Sequence, residues 1–232
     1  MNNFFKVALR PIPEVEKFDT SLRYTDILFG FVIRELFLRL QNWAQLDSAL
    51  RLHLLVGITL VIGSWIGYRR SLYRSGYQVK FFNLPLIRFI SDQIMLILYF
   101  RLAVLTEVGG KQQFLESDLT RITIRLVLYV FILYAIWDIL GIWMAKAKII
   151  GLDGNTKPLY PKIVDSKMTE EAHQVNWLGF SITVGSLLLL ALIWFLANCI
   201  TFKVSLLATI VLLLLYRWAK EVRTSYQLLQ HT

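Results

Sequence analysis

Apolar residues in this chain gather into six blocks separated by charged or turn-forming segments: Leu22–Leu40, Leu52–Tyr68, Leu84–Leu105, Ile122–Ala145, Asn176–Ala197 and Lys203–Ala219. Each block is 17 to 24 residues long. That length matches the roughly 20 residues an α-helix needs to cross about 30 Å of hydrocarbon. Leu187–Leu190 and Leu212–Leu215 are continuous apolar runs, whereas strands of a membrane barrel alternate apolar and polar residues over ~10 positions. In lipid the backbone must bond to itself, so the blocks predict helices. The expected fold is all-α, a polytopic transmembrane bundle of six spans. Asn198–Thr201 predicts a tight hairpin between the last two. The first block is the most polar, with Asp26, Arg34, Glu35 and Arg39 inside it.

The basic residues orient these spans. With the N-terminus inside, the inner segments hold sixteen Lys and Arg and the outer segments four, Arg51, Lys111, Arg121 and Lys203. With Arg23, Lys203 and Arg217 counted with the loops they border, the remaining five of the 25, Arg34, Arg39, Arg88, Arg101 and Arg125, lie deeper within spans. Cytosolic loops collect Lys and Arg, so both termini are expected in the cytosol. The tryptophans fit: Trp65, Trp143, Trp177 and Trp218 fall at inner ends and Trp43 and Trp194 at outer ends, where amphipathic rings favour the headgroup level. The resulting plan is a cytosolic N-terminal segment (1–21), spans one to four (22–145), a cytosolic loop (146–175), a transmembrane hairpin (176–219) and a cytosolic tail (220–232). The start of the chain is charged and Pro-containing, without the apolar core and small-residue cleavage site of a signal peptide. The first helix is therefore expected to stay in the mature protein, and the destination is the cytoplasmic (plasma) membrane.

Composition agrees. The chain is 56% hydrophobic with a mean hydropathy of +0.54, against about 45–50% apolar for a globular domain. The net charge of +9 follows from the cytosolic loops, and no nucleic acid is expected as partner. One cysteine, Cys199, leaves no intramolecular disulfide or thiolate cluster. His53, His173 and His231 lie in separate segments, so no metal or other cofactor is expected. No P-loop, GxSxG or zinc signature occurs, and Asp92 and Asp138 lack the context of intramembrane aspartyl proteases; no catalytic residue is expected and the protein is read as a non-enzyme. The loop 146–175 carries turn chemistry at Asp153-Gly154-Asn155 and Pro158–Pro161, and Thr169-Glu170-Glu171 marks a helix start.

Charges inside spans carry the functional information, because a charge at the bilayer centre costs about 2.5–3.5 kcal/mol on insertion scales. They concentrate in spans one, three and four, which are expected to form a polar interior or an oligomer axis. Glu35 and Arg39 make an i,i+4 pair. Arg88, Asp92 and Asp138 are expected to form one buried polar network, either as interhelical glue or as an ion pathway. Asp26 either lines an axis or is a helix-start carboxylate that caps the helix or pairs with Arg23. Gly179, Ser181 and Gly185 offer close helix approach.

Arg23-Tyr24-Thr25-Asp26 followed by an apolar helix, and Trp65-Ile66-Gly67-Tyr68-Arg69-Arg70 at the end of span two, together resemble a family of prokaryotic and lysosomal potassium channels. That family has an Arg, then Phe-Ser-Asp, in its first helix and Trp-x-x-His-His-Arg at the end of its second. The resemblance covers about residues 23–74. It implies six spans with both termini cytosolic, four units around one pore, and span one at the axis. Asp26, Phe31 and Arg34 become pore-lining candidates: Phe31 stands at the family's hydrophobic constriction, and Arg34 stands where the family has a Thr. An arginine beside a cation pathway opposes conduction unless an acid such as Glu35 neutralises it. The expected function is an oligomeric, channel-like assembly, cation-conducting by resemblance. The alternatives are a non-conducting scaffold or sensor, binding a cytosolic protein or anionic headgroups through loop 146–175 and the tail, and a small secondary transporter using Asp92 and Asp138.

Overall fold

The computed structural model describes residues 20–74, 84–112, 116–150, 166–197 and 199–230. They form six long helices: α1 (Thr20–Gln41), α2 (Ser48–Arg74), α3 (Leu84–Gln112), α4 (Glu116–Ile150), α5 (Ser166–Leu196) and α6 (Phe202–Gln230). The protein is an all-α bundle. Stretches of α2, α4, α5 and α6 are long and apolar enough to cross a membrane: Ser48–Arg69, Ser117–Trp143, Trp177–Leu196 and Phe202–Val222. These candidate spans identify an integral membrane protein. At about 1.5 Å per residue α1 and α3 also have the length, but their charges, Asp26, Arg34, Glu35 and Arg39 in one and Arg88, Asp92 and Arg101 in the other, set them apart from the apolar four.

The helices alternate in direction. His53 of α2 meets Thr123 of α4, and Ser64, eleven residues on, meets Tyr134, eleven residues on from Thr123. α2 and α4 are therefore parallel. Their shared neighbours fix the rest: α1 packs on α2 and α3, and α5 packs on α4 and α6. α2, α3, α4 and α6 make the central four, with α1 and α5 closing the two sides. Asp26, Arg69, Asp138 and Lys220 lie toward one end of the bundle, hereafter the basic end, and Trp43, Asp47 and His53 toward the other.

The α1–α2 corner is fastened by its own polar groups. Asp47 Oδ1 accepts from the backbone N–H of Leu50 at 2.7 Å, capping the first turn of α2. Arg51 donates to the Leu46 carbonyl at 2.9 Å and to that of Ala44 at 3.2 Å, with its guanidinium 5.6 Å from the Trp43 ring centroid. Inside the bundle, Leu36, Leu54, Val56, Val61, Leu102, Val127, Val130 and Phe131 form a continuous apolar core. Buried Thr209 donates to the Ser205 carbonyl four residues back at 2.8 Å, which satisfies it without a neighbouring helix; buried Thr183 Oγ1 lies 3.1 Å from the Gly179 carbonyl of its own helix and 2.5 Å from Asp138 of α4.

Of the small residues expected at helix contacts, Gly179 is buried, while Ser181 and Gly185 are exposed. A Cβ at Gly185 meets nothing within 4 Å. The close approach is at Gly57 instead, where a Cβ would lie 3.3 Å from Leu36 and 3.7 Å from Leu102. The expected connector 146–175 is shortened from both sides, because α4 runs on to Ile150 and α5 begins at Ser166. Its turn motifs at 153–155 and 158–161 lie outside the described residues, as does most of the N-terminal segment. The expected tail continues α6 as far as Gln230.

Gly57→Leu forces α1 and α3 away from α2 and is expected to destabilise the fold by about 1–3 kcal/mol, the usual cost of overpacking. Gly185→Leu, which enters open space, is expected to leave stability unchanged. Thermal unfolding of the two detergent-solubilised variants beside the parent distinguishes them.

Candidate functional site

Three groups of polar side chains interrupt the apolar bundle. The first lies inside its basic half. Arg88 and Asp92 on α3 are 4% and 3% exposed, and the Arg88 guanidinium sits 3.7 Å from the centroid of the Trp137 ring on α4. A desolvated guanidinium over indole is among the stronger cation–π arrangements. The next residue, Asp138, faces the other way. Its Oδ2 accepts from Lys220 Nζ of α6 at 2.7 Å and from Thr183 Oγ1 of α5 at 2.5 Å. Thus the cation that reaches Asp138 is Lys220, while Arg88 reaches the tryptophan beside it. Arg88, Asp92 and Asp138 share a level of the bundle.

A hydrogen-bonded cluster continues from this pair toward the middle. Tyr216 Oη lies 3.5 Å from Thr183 Oγ1, and its ring stacks on Tyr134 at 5.8 Å. Tyr134 Oη is 2.9 Å from Tyr99 Oη, which donates to Ser64 Oγ at 2.8 Å; Ser64 also contacts Tyr134 and donates to the Leu60 carbonyl at 2.7 Å. Five helices, α2 to α6, contribute to the run from Ser64 to Lys220. Beyond Ser64 the core is apolar until His53, whose Nδ1 meets Thr123 Oγ1 at 2.7 Å near the opposite end. The polar run therefore opens on the basic end alone. Its chemistry is that of interhelical bonding: every hydroxyl named has a partner, and no nucleophile is set beside a base.

The second group ties α1 to its neighbours. Asp26 Oδ1 is 3.3 Å from Arg69 Nε of α2, and Arg69 lies 5.8 Å from the Trp65 ring. Gln93 of α3 donates to the buried Thr25 at 3.2 Å. Asp26 was expected on an axis or against Arg23; its described partner is Arg69.

The third group faces outward. Tyr24, Ile27, Phe31, Arg34 and Leu38 are all exposed, and their spacing of three and four residues puts them on one face of α1. Phe31 is 57% exposed and the Arg34 side chain 65%. Of the three pore-lining candidates, Phe31 and Arg34 therefore share this outer face, and Asp26 lies to its side, toward α2. Arg34 Nη1 lies 3.4 Å from Glu35, whose other oxygen accepts from Arg39 at 2.8 Å. Along α1, Arg34 is about 12 Å from Asp26 and about 10 Å from Gln41, far from either end.

Two further arginines stand at this level. The Leu36 and Leu102 contacts around Gly57 bring those three positions together. Counting about 1.5 Å per residue from there and from the His53–Thr123 contact, Arg34, Arg101 and Arg125 fall within a slab about 6 Å thick. Arg101 and Arg125 are exposed, and neither has an ion-pair or hydrogen-bond partner among the described residues. Their helices, α1, α3 and α4, are neighbours in a row. By contrast no charged residue is exposed in Ser48–Arg69 of α2, Trp177–Leu196 of α5 or Val204–Val222 of α6. The sequence separates the polar helices from the apolar ones. It does not show that these arginines lie outside the bundle, nor that Lys220 and three tyrosines join within it. The period of the exposed stripe on α1 was the readable signal for the first; nothing local marks the second.

Among the described residues no three His, Cys, Asp or Glu side chains gather into a metal-binding group. No family model, curated protein or solved structure matches this chain.

Lys220→Ala leaves the Asp138 carboxylate inside the bundle without its cation and is expected to destabilise by about 3 kcal/mol, as for other broken buried pairs. The double variant Asp138→Asn/Lys220→Met is expected to recover most of that loss. Denaturant unfolding of the two variants in detergent, compared with the parent, measures the coupling.

Proposed function

We propose that this protein is a homo-oligomeric, channel-like membrane protein whose α1 helices face a common water-containing axis. The observation that carries the reading is the exposure of Arg34, flanked on its stripe by Phe31 and Leu38 and far from both helix ends. All six helices cross the bilayer in this reading, and the basic end, with sixteen inner Lys and Arg against four outer, is cytosolic. Arg34 then lies near mid-depth. An arginine near a helix end snorkels to the headgroups, but one at mid-depth facing lipid costs at least about 2.5–3.5 kcal/mol. Turning this face to water and to other copies removes that cost. Phe31, one turn toward the cytosol, narrows the axis below the arginine. The resemblance of Arg23–Asp26 and Trp65–Arg70 to six-span potassium channels supports the same placement of the first helix.

The stoichiometry implied by that resemblance is four. The scaffold reading leans on loop 146–175, whose central residues lie outside the described ones, and the transporter reading leans on Asp92 and Asp138, the latter held in an interhelical contact with Lys220 and Thr183.

Cysteine cross-linking in vesicles tests the assembly. In a Cys199→Ser background, Phe31→Cys is expected to give disulfide-linked dimers on mild oxidation, and Leu188→Cys on the apolar face of α5 is not. Planar-bilayer recording of the purified protein tests the channel: currents are expected, and Phe31→Ala is expected to enlarge them severalfold. Silence from both proteins under every ionic condition counts against conduction.

A further inference from the structure

We infer that the side of the bundle formed by α3 and α4 docks one transmembrane helix of another protein, a helix whose carboxylate lies within the hydrocarbon and pairs with Arg101 and Arg125. This rests on the six-span reading above and not on the oligomeric one.

α1 and α5 cover two sides of the central four helices and leave two open, α3 with α4 and α2 with α6. The exposed residues of α3 and α4 open on one side, because α2 packs against both from the other. The two open sides differ in charge. α2 and α6 expose no charged residue over Ser48–Arg69 and Val204–Val222, a surface that lipid covers without cost. α3 and α4 expose Ile94, Ile97, Phe100, Tyr129 and Ile132, and with them Arg101 and Arg125. Neither arginine has an ion-pair or hydrogen-bond partner among the described residues. Counted along the helices from the Gly57–Leu102 and His53–Thr123 contacts, the two differ in depth by about 5 Å.

Depth decides which anion reaches them. Gly57, at the level of Arg101, is about 14 Å from the outer end of Ser48–Arg69 and about 18 Å from the inner end. Arg125 is about 12 Å inside the outer end of Ser117–Trp143. A headgroup phosphate lies outside the hydrocarbon, so it leaves Arg101 unmet. An ionised side chain at such a depth is satisfied by water or by an opposite charge. The chain has no spare acid to offer. Glu35 is the one acid among the described residues at this depth, and it already contacts Arg39 at 2.8 Å and Arg34 at 3.4 Å. Copies related by rotation about the membrane normal keep every residue at its own depth, so another copy brings the same Glu35 and nothing more. The carboxylate therefore comes from a different chain. The apolar side chains around the arginines suit a helix rather than a soluble anion, because they pack against its hydrocarbon surface. Two guanidiniums on adjacent helices then bracket one carboxylate, which accepts from both.

The test uses the full chain, carrying a donor dye on its one cysteine, the exposed Cys199, in vesicles of neutral phosphatidylcholine. The probe is a synthetic transmembrane helix of leucine and alanine with an acceptor dye and one glutamate a single turn from its midpoint; the control helix has glutamine there. Energy transfer at neutral pH is expected to show the glutamate helix associating severalfold more tightly than the control. Arg101→Gln/Arg125→Gln is expected to bring the two helices to equal association. Arg101→Lys/Arg125→Lys is expected to keep the preference, and Arg101→Glu/Arg125→Glu to transfer it to a helix carrying lysine. Both arginines are exposed, so thermal unfolding of each variant is expected to match the parent. Equal association of the glutamate and glutamine helices with the parent chain overturns the inference, as does a preference unmoved by Arg101→Gln/Arg125→Gln. Loss of the preference when phosphatidylglycerol is added to the vesicles also overturns it and assigns the arginines to an anionic headgroup. Each of these failures leaves the α1 reading standing, because Phe31→Cys cross-linking is read on a different face.

Discussion

Hydrocarbon offers a charge or an unmet hydrogen-bonding group no partner, and the arrangement of this bundle follows from that constraint. Backbone groups meet it by forming helices. Buried hydroxyls meet it in two ways: Thr209 bonds to a carbonyl of its own helix, and Ser64, Tyr99 and Tyr134 bond to one another across α2, α3 and α4. Buried charges meet it across helices, Asp138 through Lys220 and Thr183, and Arg88 through the face of Trp137. The bonds between side chains of different helices tie those helices together. The polar groups thus determine which helices are neighbours, and the apolar side chains fill the space between them.

The same constraint explains the asymmetry between the two sides of the molecule. α5 and the middle of α6 present Leu188, Leu192, Phe195, Leu207, Val211 and Leu214 outward, a surface that lipid covers without cost. α1, α3 and α4 present apolar side chains of similar size but insert Arg34, Arg101 and Arg125 among them at one level. A surface of the second kind is at rest only where water or a protein partner reaches it. In the proposed function that need is met by other copies of the chain.

Much of this was legible in the sequence because its signals are periodic or local. Apolar blocks of transmembrane length predict the helices, and α1, the weakest of these predictions, forms because a charged residue leaves a helix's backbone bonds intact. The concentration of charges in the first, third and fourth helices is likewise visible without coordinates. What was not legible depends on rotation and on distant pairing. Asp138 has no opposite charge within a turn, so a partner had to come from another helix; Arg88 is at compatible depth in the sequence, and so is Lys220 once α6 is known to continue past Ala219. Only packing distinguishes them, and the stacked rings of Phe131, Tyr134 and Tyr216 draw α6 against α4 where Lys220 reaches the carboxylate. Gly57 and Gly185 differ in the same way, one facing Leu36 and the other facing nothing, although both read as small residues in apolar helices.

The orientation of Arg34 completes the reasoning from charge to function. Had its side chain turned inward it would have joined the buried pairs and served as a helix tie, like Arg88. Turned outward, it lies 3.4 Å from one oxygen of Glu35, while Arg39 holds the other at 2.8 Å. That contact is within its own helix, so Arg34 ties no two helices together. Phe31 beside it gives the same face an apolar girdle, so charge and constriction fall one turn apart on one helix. That juxtaposition of an apolar ring and a charged side chain on one exposed face is what the proposed function rests on.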